Sequence, residues 1–149
     1  IKVLKELQQL APERIHIRAI DICQEDATDR LLELIEEMGG MDLYLHCSGI
    51  GHQNYQLTPG IELRTLETNG TGFVRMVTAA FRYFAQQKGG HLAVISSIAG
   101  TRGWELAPAY SATKRSRTRT SMRWSNWLTS RNFPSGLQTS VRDSWPPGS

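Results

Sequence analysis

Helical and extended segments alternate along the first 114 residues, and this alternation limits the folds that the chain can adopt. Apolar residues recur at the spacing of an amphipathic helix over 3–10, 27–38 and 62–87. Short apolar runs that are typical of strands cover 15–20, 41–46 and 91–96. Strands that alternate with helices in this way form a parallel sheet with helices packed on both faces. We therefore predict an α/β fold built on a doubly wound parallel sheet.

Residues capable of acid–base chemistry follow the last of these strands. The strand runs into Ser96 and Ser97, Tyr110 lies thirteen residues beyond Ser97, and Lys114 follows Tyr110 by one helical turn. A Tyr-x-x-x-Lys spacing on a helix places both side chains on one face. A phenol, with an ordinary pKa of about 10, is a poor acid or base at neutral pH, but a nearby ammonium group favours its ionised form. The pattern indicates proton transfer by Tyr110, assisted by a serine hydroxyl; the spacing favours Ser97 over Ser96.

These segments resemble the short-chain dehydrogenase/reductase (SDR) family over residues 1–114. The segments that carry the resemblance are Ala19-Ile20-Asp21-Ile22, Asn69-Gly70-Thr71-Gly72, Val94-Ile95-Ser96-Ser97-Ile98-Ala99-Gly100 and Tyr110-Ser111-Ala112-Thr113-Lys114. The resemblance implies a partial Rossmann-like fold and an oxidoreductase that uses NAD or NADP. Such an enzyme moves hydride between the nicotinamide and a small-molecule alcohol or carbonyl.

The resemblance also implies a role for individual residues. Tyr110 would act as the general acid or base, Ser97 would hydrogen-bond the substrate oxygen, and Asn69 would complete a proton relay. Lys114 would favour the phenolate and grip the nicotinamide ribose. The implied cofactor-binding residues are Asp21 and Ile22 around the adenine, Ser48 and Gly49 against the cofactor, and Tyr110 and Lys114. On the residues alone, Asp21 also fits a helix cap ahead of Ala27.

Two departures from the family pattern bear on activity. The family usually carries Asn-Asn-Ala-Gly where this sequence has His46-Cys47-Ser48-Gly49. The sequence also lacks the family's glycine-rich dinucleotide turn, so we expect the first strand, first helix and second strand of the fold to lie upstream of Ile1. That turn precedes the helix N-terminus which holds the pyrophosphate. The alternative prediction is therefore a catalytically inactive, truncated fragment that cannot bind the cofactor.

The composition changes abruptly after Lys114. Residues 1–114 hold 11 Lys and Arg against 13 Asp and Glu, whereas residues 115–149 hold six Arg, a single acid and no alanine. The family continues this helix with alanines and leucines. When the reading frame is shifted by one base, suitable codons for 141–147 encode Arg-Pro-Gly-Phe-Val-Ala-Thr, the type of segment that the family has there. We therefore predict a partial domain over 1–114 and a basic, irregular tail over 115–149 that is out of frame.

Simpler features exclude other classes of protein. No apolar run approaches the roughly 20 residues of a membrane span, and no leader opens the sequence, so we expect a cytoplasmic protein. Cys23 and Cys47 provide neither a disulfide framework nor a zinc spacing, and we expect no metal. Arginines with interspersed tryptophans are typical of single-strand binding, but an out-of-frame tail would have no nucleic-acid partner. We expect a small-molecule substrate and no membrane partner; a homo-oligomer of the intact family member stays open.

Overall fold

The computed structural model describes residues 2–103, 105–130 and 137–143, with side chains described for 3–103 and 105–120. The helices are α1 (Lys2–Leu10), α2 (Ala27–Glu37), α3 (Pro59–Leu66), α4 (Phe73–Gln87) and α5 (Pro108–Ser130). The strands are β1 (Leu43–His46), β2 (Gly90–Ser96) and β3 (Leu137–Asp143). A π-helical segment, Glu67–Gly72, joins α3 to α4, and a short 3₁₀ turn, Ile98–Gly100, follows β2.

The three strands form one parallel sheet in the order β1-β2-β3. Leu43 lies opposite His91 at the start of the first pair, and Ser96 lies opposite Asp143 at the end of the second. Parallel neighbours need a long crossover, and helices supply it here. The predicted α/β architecture with a parallel sheet is thus confirmed, and the strands end at a common edge.

Helix α4 lies at the centre of the hydrophobic core. One cluster joins it to the sheet and consists of Phe73, Val77, Ala80, Phe84, Leu92 and Val94. A second cluster joins it to α2 and consists of Ile22, Ala27, Leu31, Ile35, Met76 and Ala79. Burial of each large apolar side chain is worth roughly 1.5–3 kcal/mol, so these two contacts fix α4 against both partners.

Helices α4 and α5 cover the same face of the sheet. Leu92 and Val94 of β2 pack against α4, and the Ser96 hydroxyl donates to the Lys114 carbonyl of α5 at 3.0 Å. Alternate residues of a strand share a face, so these three point the same way. On β1, Leu43 and Leu45 are 57% and 50% exposed. Helices were predicted on both faces of the sheet. Helices α4 and α5 cover one face, and a helix on the other face stays a prediction.

Residues 15–20 do not form the predicted strand. An extended segment becomes a strand only through ladder hydrogen bonds, and this one pairs with none of the three described strands. Side chains hold it to α2 instead. Arg18 contacts Glu33 at 2.6 Å and Glu37 at 2.7 Å, and His16 contacts Glu37 at 2.9 Å.

The apolar faces of two helices are narrower than predicted. Leu32 and Met38 belong to the apolar spacing over 27–38, and Val74 to that over 62–87, yet all three are exposed. The buried row of α2 is Ala27, Leu31 and Ile35, which recur every four residues. Leu32 lies about 100° around the helix from Leu31, and this angle carries it out of the core.

An irregular tail was predicted after Lys114, but its described residues form a helix and a strand. Helix α5 continues to Ser130, and β3 pairs with β2. Neither proline nor glycine interrupts residues 109–133, and the Thr118 hydroxyl joins the helix to β2 by lying 2.9 Å from Ser96 Oγ. The side chains of Trp124 and Trp127 lie outside the described set, as do residues Trp104 and Trp145. The out-of-frame origin of the tail stays a prediction.

Candidate active site

A cavity of about 310 Å³ opens beyond the carboxyl ends of β1 and β2. Ser97, Tyr110 and Lys114 all line it, so the structure brings together three of the four predicted catalytic residues. Ser97 directly follows β2, and the other two occupy the first turns of α5. The remaining lining residues are Cys47, Gly49, Ile50, Gly51, His52, Gln53 and Ala107.

Lys114 is held beside the ring of Tyr110. Its Nζ lies 5.4 Å from the ring centroid and donates to the Ile95 and Ser96 carbonyls at 3.3 and 3.5 Å. Burial lowers the pKa of Lys114 to about 8, and the charge of Arg117 adds to this effect. The ammonium form therefore still predominates at pH 7, and its positive charge lies next to the phenol.

The two candidate serines have different surroundings. Ser96 Oγ donates to the Lys114 carbonyl and lies 2.9 Å from Thr118 Oγ1, so it ties β2 to α5. Ser97 lines the cavity, and its Oγ accepts a hydrogen bond from the Ala99 amide at 3.2 Å. Because that contact uses Ser97 as an acceptor, its own O–H can donate to a substrate oxygen.

Asn69 lies behind the wall of the cavity rather than on it. Its side chain is buried and makes a reciprocal pair with Ile50: Nδ2 donates to the carbonyl at 2.7 Å, and Oδ1 accepts from the amide at 2.8 Å. It belongs to the π-helical segment, and such segments occur frequently at functional sites. Asn69 thus fixes the loop that follows β1.

Arg117, which the sequence analysis missed, lies beneath the site. It is fully buried, donates from Nε and Nη2 to the Asn69 carbonyl at 3.2 Å, and places its guanidinium 4.9 Å from the Phe73 ring centroid. Burial lowers its own pKa to about 10. One sequence signal could have found it: Arg117 lies three residues after Lys114, which places it near the Lys114 face of the helix.

The segment His46-Cys47-Ser48-Gly49, which departs from the family pattern, contributes one residue to the core and two to the cavity wall. His46 is buried, lies edge-on to Phe73 at 5.2 Å between centroids, and shares a 3.1 Å contact between Nδ1 and the Tyr44 hydroxyl. Burial, and then the charge of Arg117, lower the pKa of His46 to about 4, so it is neutral at pH 7. Cys47 lines the cavity, whereas Ser48 is exposed and lies outside its lining.

The predicted adenine-side residues lie apart from this cavity. Asp21 belongs to a separate depression with Cys23, Gln24, Glu25, Asp26 and Arg30. The Cys23 amide donates to its carboxylate at 3.0 Å, and this bond lowers the pKa of the exposed Asp21. Asp21 therefore caps the turn before α2, while Asp26 stands at the helix cap itself. The side chain of Ile22 packs in the core, so it would meet a ligand only through its main chain.

Comparison with known proteins identifies the family. The chain matches the family described as short chain dehydrogenase over residues 1–132. The chain belongs to the short-chain dehydrogenase family. An uncharacterized oxidoreductase of Myxococcus xanthus is 33% identical over 117 residues, which are 76% of this chain and 46% of that protein. Bovine retinol dehydrogenase 8 is 26% identical over 106 residues, or 68% of this chain and 33% of that protein. The chain thus spans less than half the length of these curated relatives.

Solved structures confirm the Rossmann-like SDR fold. A short-chain dehydrogenase from Streptomyces avermitilis superposes with a TM-score of 0.83 at 19% identity, covering 95% of this chain and 53% of that one. The structure of ElxO with NADP bound superposes with a TM-score of 0.79 at 16% identity, covering 95% and 58%. In the part of this SDR chain that is described, we find no helix with the length and apolar character of a membrane span.

The SDR cavity fits the nicotinamide end of a dinucleotide. Glycine lets the loop after β1 approach its neighbours closely: a Cβ at Gly49 would lie 3.0 Å from Asn69 Oδ1, and one at Gly51 would lie 2.8 Å from the Tyr110 ring. The Lys114 ammonium and the Tyr110 hydroxyl are the donors that a ribose requires. For the pyrophosphate end, the residues described contain no glycine-rich turn that opens a helix.

Proposed function

We propose that this chain carries the acid–base half of an NAD(P)-dependent oxidoreductase, with Tyr110 as the general acid or base. The reaction interconverts a small-molecule alcohol and its carbonyl compound. The observation that carries this proposal is the cavity shared by Ser97, Tyr110 and Lys114, with the Lys114 ammonium 5.4 Å from the centre of the phenol ring. The proposal further places the protein in the cytoplasm, with no membrane or nucleic-acid partner.

The proposed proton transfer follows from the chemistry of these side chains. In the oxidative direction Tyr110 takes the hydroxyl proton of the substrate, while Ser97 donates a hydrogen bond to the same oxygen. The adjacent positive charge of Lys114 favours the phenolate that this step requires. When bound, the nicotinamide accepts the hydride from the substrate carbon. In the reductive direction Tyr110 returns the proton to the carbonyl oxygen.

The remaining proposed roles concern the relay and the cofactor. Asn69 would complete a proton relay by holding a water, and Gly49 and Ser48 would lie along the cofactor. Lys114 and Tyr110 would hold the ribose, and Asp21 and the main chain of Ile22 would bracket the adenine. NAD and NADP both remain consistent with this set, because the structure with NADP belongs to a relative of low identity.

A second candidate is an SDR chain that is inactive because its cofactor site is incomplete. One observation favours it: Arg117 donates to the Asn69 carbonyl, so the main chain of the proposed relay residue is already engaged. A buried cation at this point also disfavours a second positive charge on Lys114.

Replacement of the phenol hydroxyl tests the main proposal. In the full-length protein, Tyr110→Phe should lower turnover of small alcohols or carbonyls by about 10²–10⁴-fold, the usual contribution of a general acid–base group. Cofactor affinity should fall far less than turnover, because the Lys114 ammonium still donates to the ribose. Tyr83→Phe is the matched control, since its hydroxyl contacts the Met41 amide away from the cavity. Wild-type turnover in Tyr110→Phe would refute the role.

A further inference from the structure

The loop that follows β1 is attached to the start of α5. We call residues 47–58 the cavity loop, since several of its members line the cavity. The main chain of Asn54 donates to the Leu106 carbonyl at 2.8 Å, just ahead of the helix that carries Tyr110. Asn54 is itself only 2% exposed. The loop therefore meets α5 through a buried polar residue.

The side-chain amide of Asn54 can adopt one orientation only. Its Oδ1 accepts from the Thr58 amide at 2.9 Å, and its Nδ2 donates to the Thr58 carbonyl at 3.0 Å. Reversal of the amide would break both bonds. The second N–H of Nδ2 then points at Glu62 Oε1, at 2.9 Å.

Glu62 of α3 connects this loop to the first turn of α5. Its second oxygen, Oε2, accepts from the Ala109 amide at 2.9 Å. The first amides of a helix lack partners within the helix, and a negative charge there is favourable. Ala109 immediately precedes Tyr110. One oxygen of the Glu62 carboxylate thus fixes the cavity loop, and the other fixes the main chain of α5 next to Tyr110.

Gly51 of the same loop contacts the tyrosine ring directly. A Cβ at this position would lie 2.8 Å from Tyr110 Cδ2 and 2.9 Å from Cε2. Real Cβ atoms do not approach this closely, so any other residue would displace either the loop or the ring. The loop main chain therefore forms a wall against which Tyr110 rests.

We infer that Glu62 and Gly51 are positioning residues that hold Tyr110 from two sides, Glu62 at its backbone and Gly51 at its ring. This inference rests on the proposed role of Tyr110. In the proposed reaction, neither Glu62 nor Gly51 touches the substrate or the Tyr110 hydroxyl. Their effect is to keep the phenol oxygen at one place in the cavity, and a displacement of about 1 Å at such a position can cost about 100-fold in rate.

Glu62→Gln tests the backbone side of this arrangement. A glutamine offers one acceptor oxygen, so its NH₂ must face a donor, either the fixed Asn54 Nδ2 or the Ala109 amide. We expect kcat of the full-length protein to fall about 10-fold to 100-fold, with cofactor Kd within about twofold of wild type. Glu105→Gln, which removes the same charge from an exposed residue ahead of α5, should keep wild-type kcat.

Gly51→Ala tests the ring side independently. It should lower kcat by a similar factor, and Gly60→Ala should not, since a Cβ at Gly60 meets nothing within 4 Å. Amide hydrogen exchange at Ala109 should be faster in Glu62→Gln and unchanged in Gly51→Ala, because only the first substitution removes the charged acceptor of that amide.

The outcomes separate this inference from the function on which it rests. Wild-type kcat in both variants would overturn the inference, even if Tyr110→Phe is inactive. Equal losses in kcat and cofactor affinity in both variants would also overturn it, because that pattern reports general loosening. Full activity of Tyr110→Phe would instead refute the proposed function itself.

Discussion

Lys114 carries the positive charge of the cavity, and its surroundings make that charge sensitive to pH. Burial and Arg117 lower the pKa of Lys114 to about 8 from an ordinary value of 10.5. We therefore expect Lys114 to lose its proton as the pH rises through about 8, and activity that depends on the ammonium should decline there. Arg117→Met should raise this pKa, because it removes a neighbouring positive charge.

The pKa of Lys114 can be measured from the pH dependence of its modification by an amine-reactive reagent. The pH at which Lys114 reacts at half its maximal rate should shift upward in Arg117→Met. An identical Lys114 profile in both proteins would show that Arg117 does not act on this charge.

His46 links the stability of the fold to acid. Its pKa is about 4 in the folded chain, below the ordinary value of 6.5, mainly because it is buried. Between these two values the unfolded chain binds a proton that the folded chain does not, so the free energy of unfolding falls as the pH drops from about 6.5 to 4. His46→Asn removes this group and should lose less stability over the same range.

Urea unfolding of both proteins at pH 7 and pH 5 provides the measurement. Other groups also titrate in this interval, so the informative quantity is the difference between the two drops in midpoint. Equal drops for wild type and His46→Asn would mean that His46 takes up its proton equally well when folded.

At the scale of elements, the turn between α4 and β2 depends on a glycine. Gly90 has a φ of +139°, a conformation that side chains rarely adopt, and a Cβ there would overlap the Phe84 ring. Gly90→Ala should lower the free energy of unfolding by at least about 1–3 kcal/mol, since crowding and backbone strain both contribute. Gly60→Ala, in open space, should be close to neutral, and thermal or urea unfolding of the two variants compares them.

Elements that depend on local pattern were predictable, and those that depend on distant partners were not. The spacing of Leu31 and Ile35 was enough to predict α2. The prediction of a strand over 15–20 was wrong. A strand needs a hydrogen-bonded neighbour, and the apolar character of one segment does not show whether such a neighbour exists. The helical tail was missed for a related reason, since Thr118 and its contact with Ser96 link segments that are distant in sequence.

The same distinction applies to the candidate site. Ser97, Tyr110 and Lys114 were found from their spacing, because consecutive strand and helix carry them to one cavity. Gly51 and Glu62 gave no such signal: their partners lie 59 and 47 positions away along the chain. Arg117 was set aside with a tail that was expected to be irregular, although it is fully buried.

At the scale of the whole molecule, the decisive property is whether this chain alone completes a cofactor site. The described residues hold a cavity of about 310 Å³ lined by Tyr110 and Lys114, but no glycine-rich turn that opens a helix. The inactive alternative predicts that NADH and NADPH fluorescence stays flat when residues 1–149 are added. Saturable binding by residues 1–149 would contradict the inactive alternative. Sequencing of the locus would test the frame of residues 115–149.

The uncovered leucines have a practical consequence for anyone who purifies this chain. Leu43 and Leu45 stand on an open face of β1, and the apolar row of α1 is exposed as well. Exposed apolar surfaces of this kind associate with one another in water. We therefore expect preparations of this chain to become turbid as its concentration is raised, at temperatures where the fold is still intact.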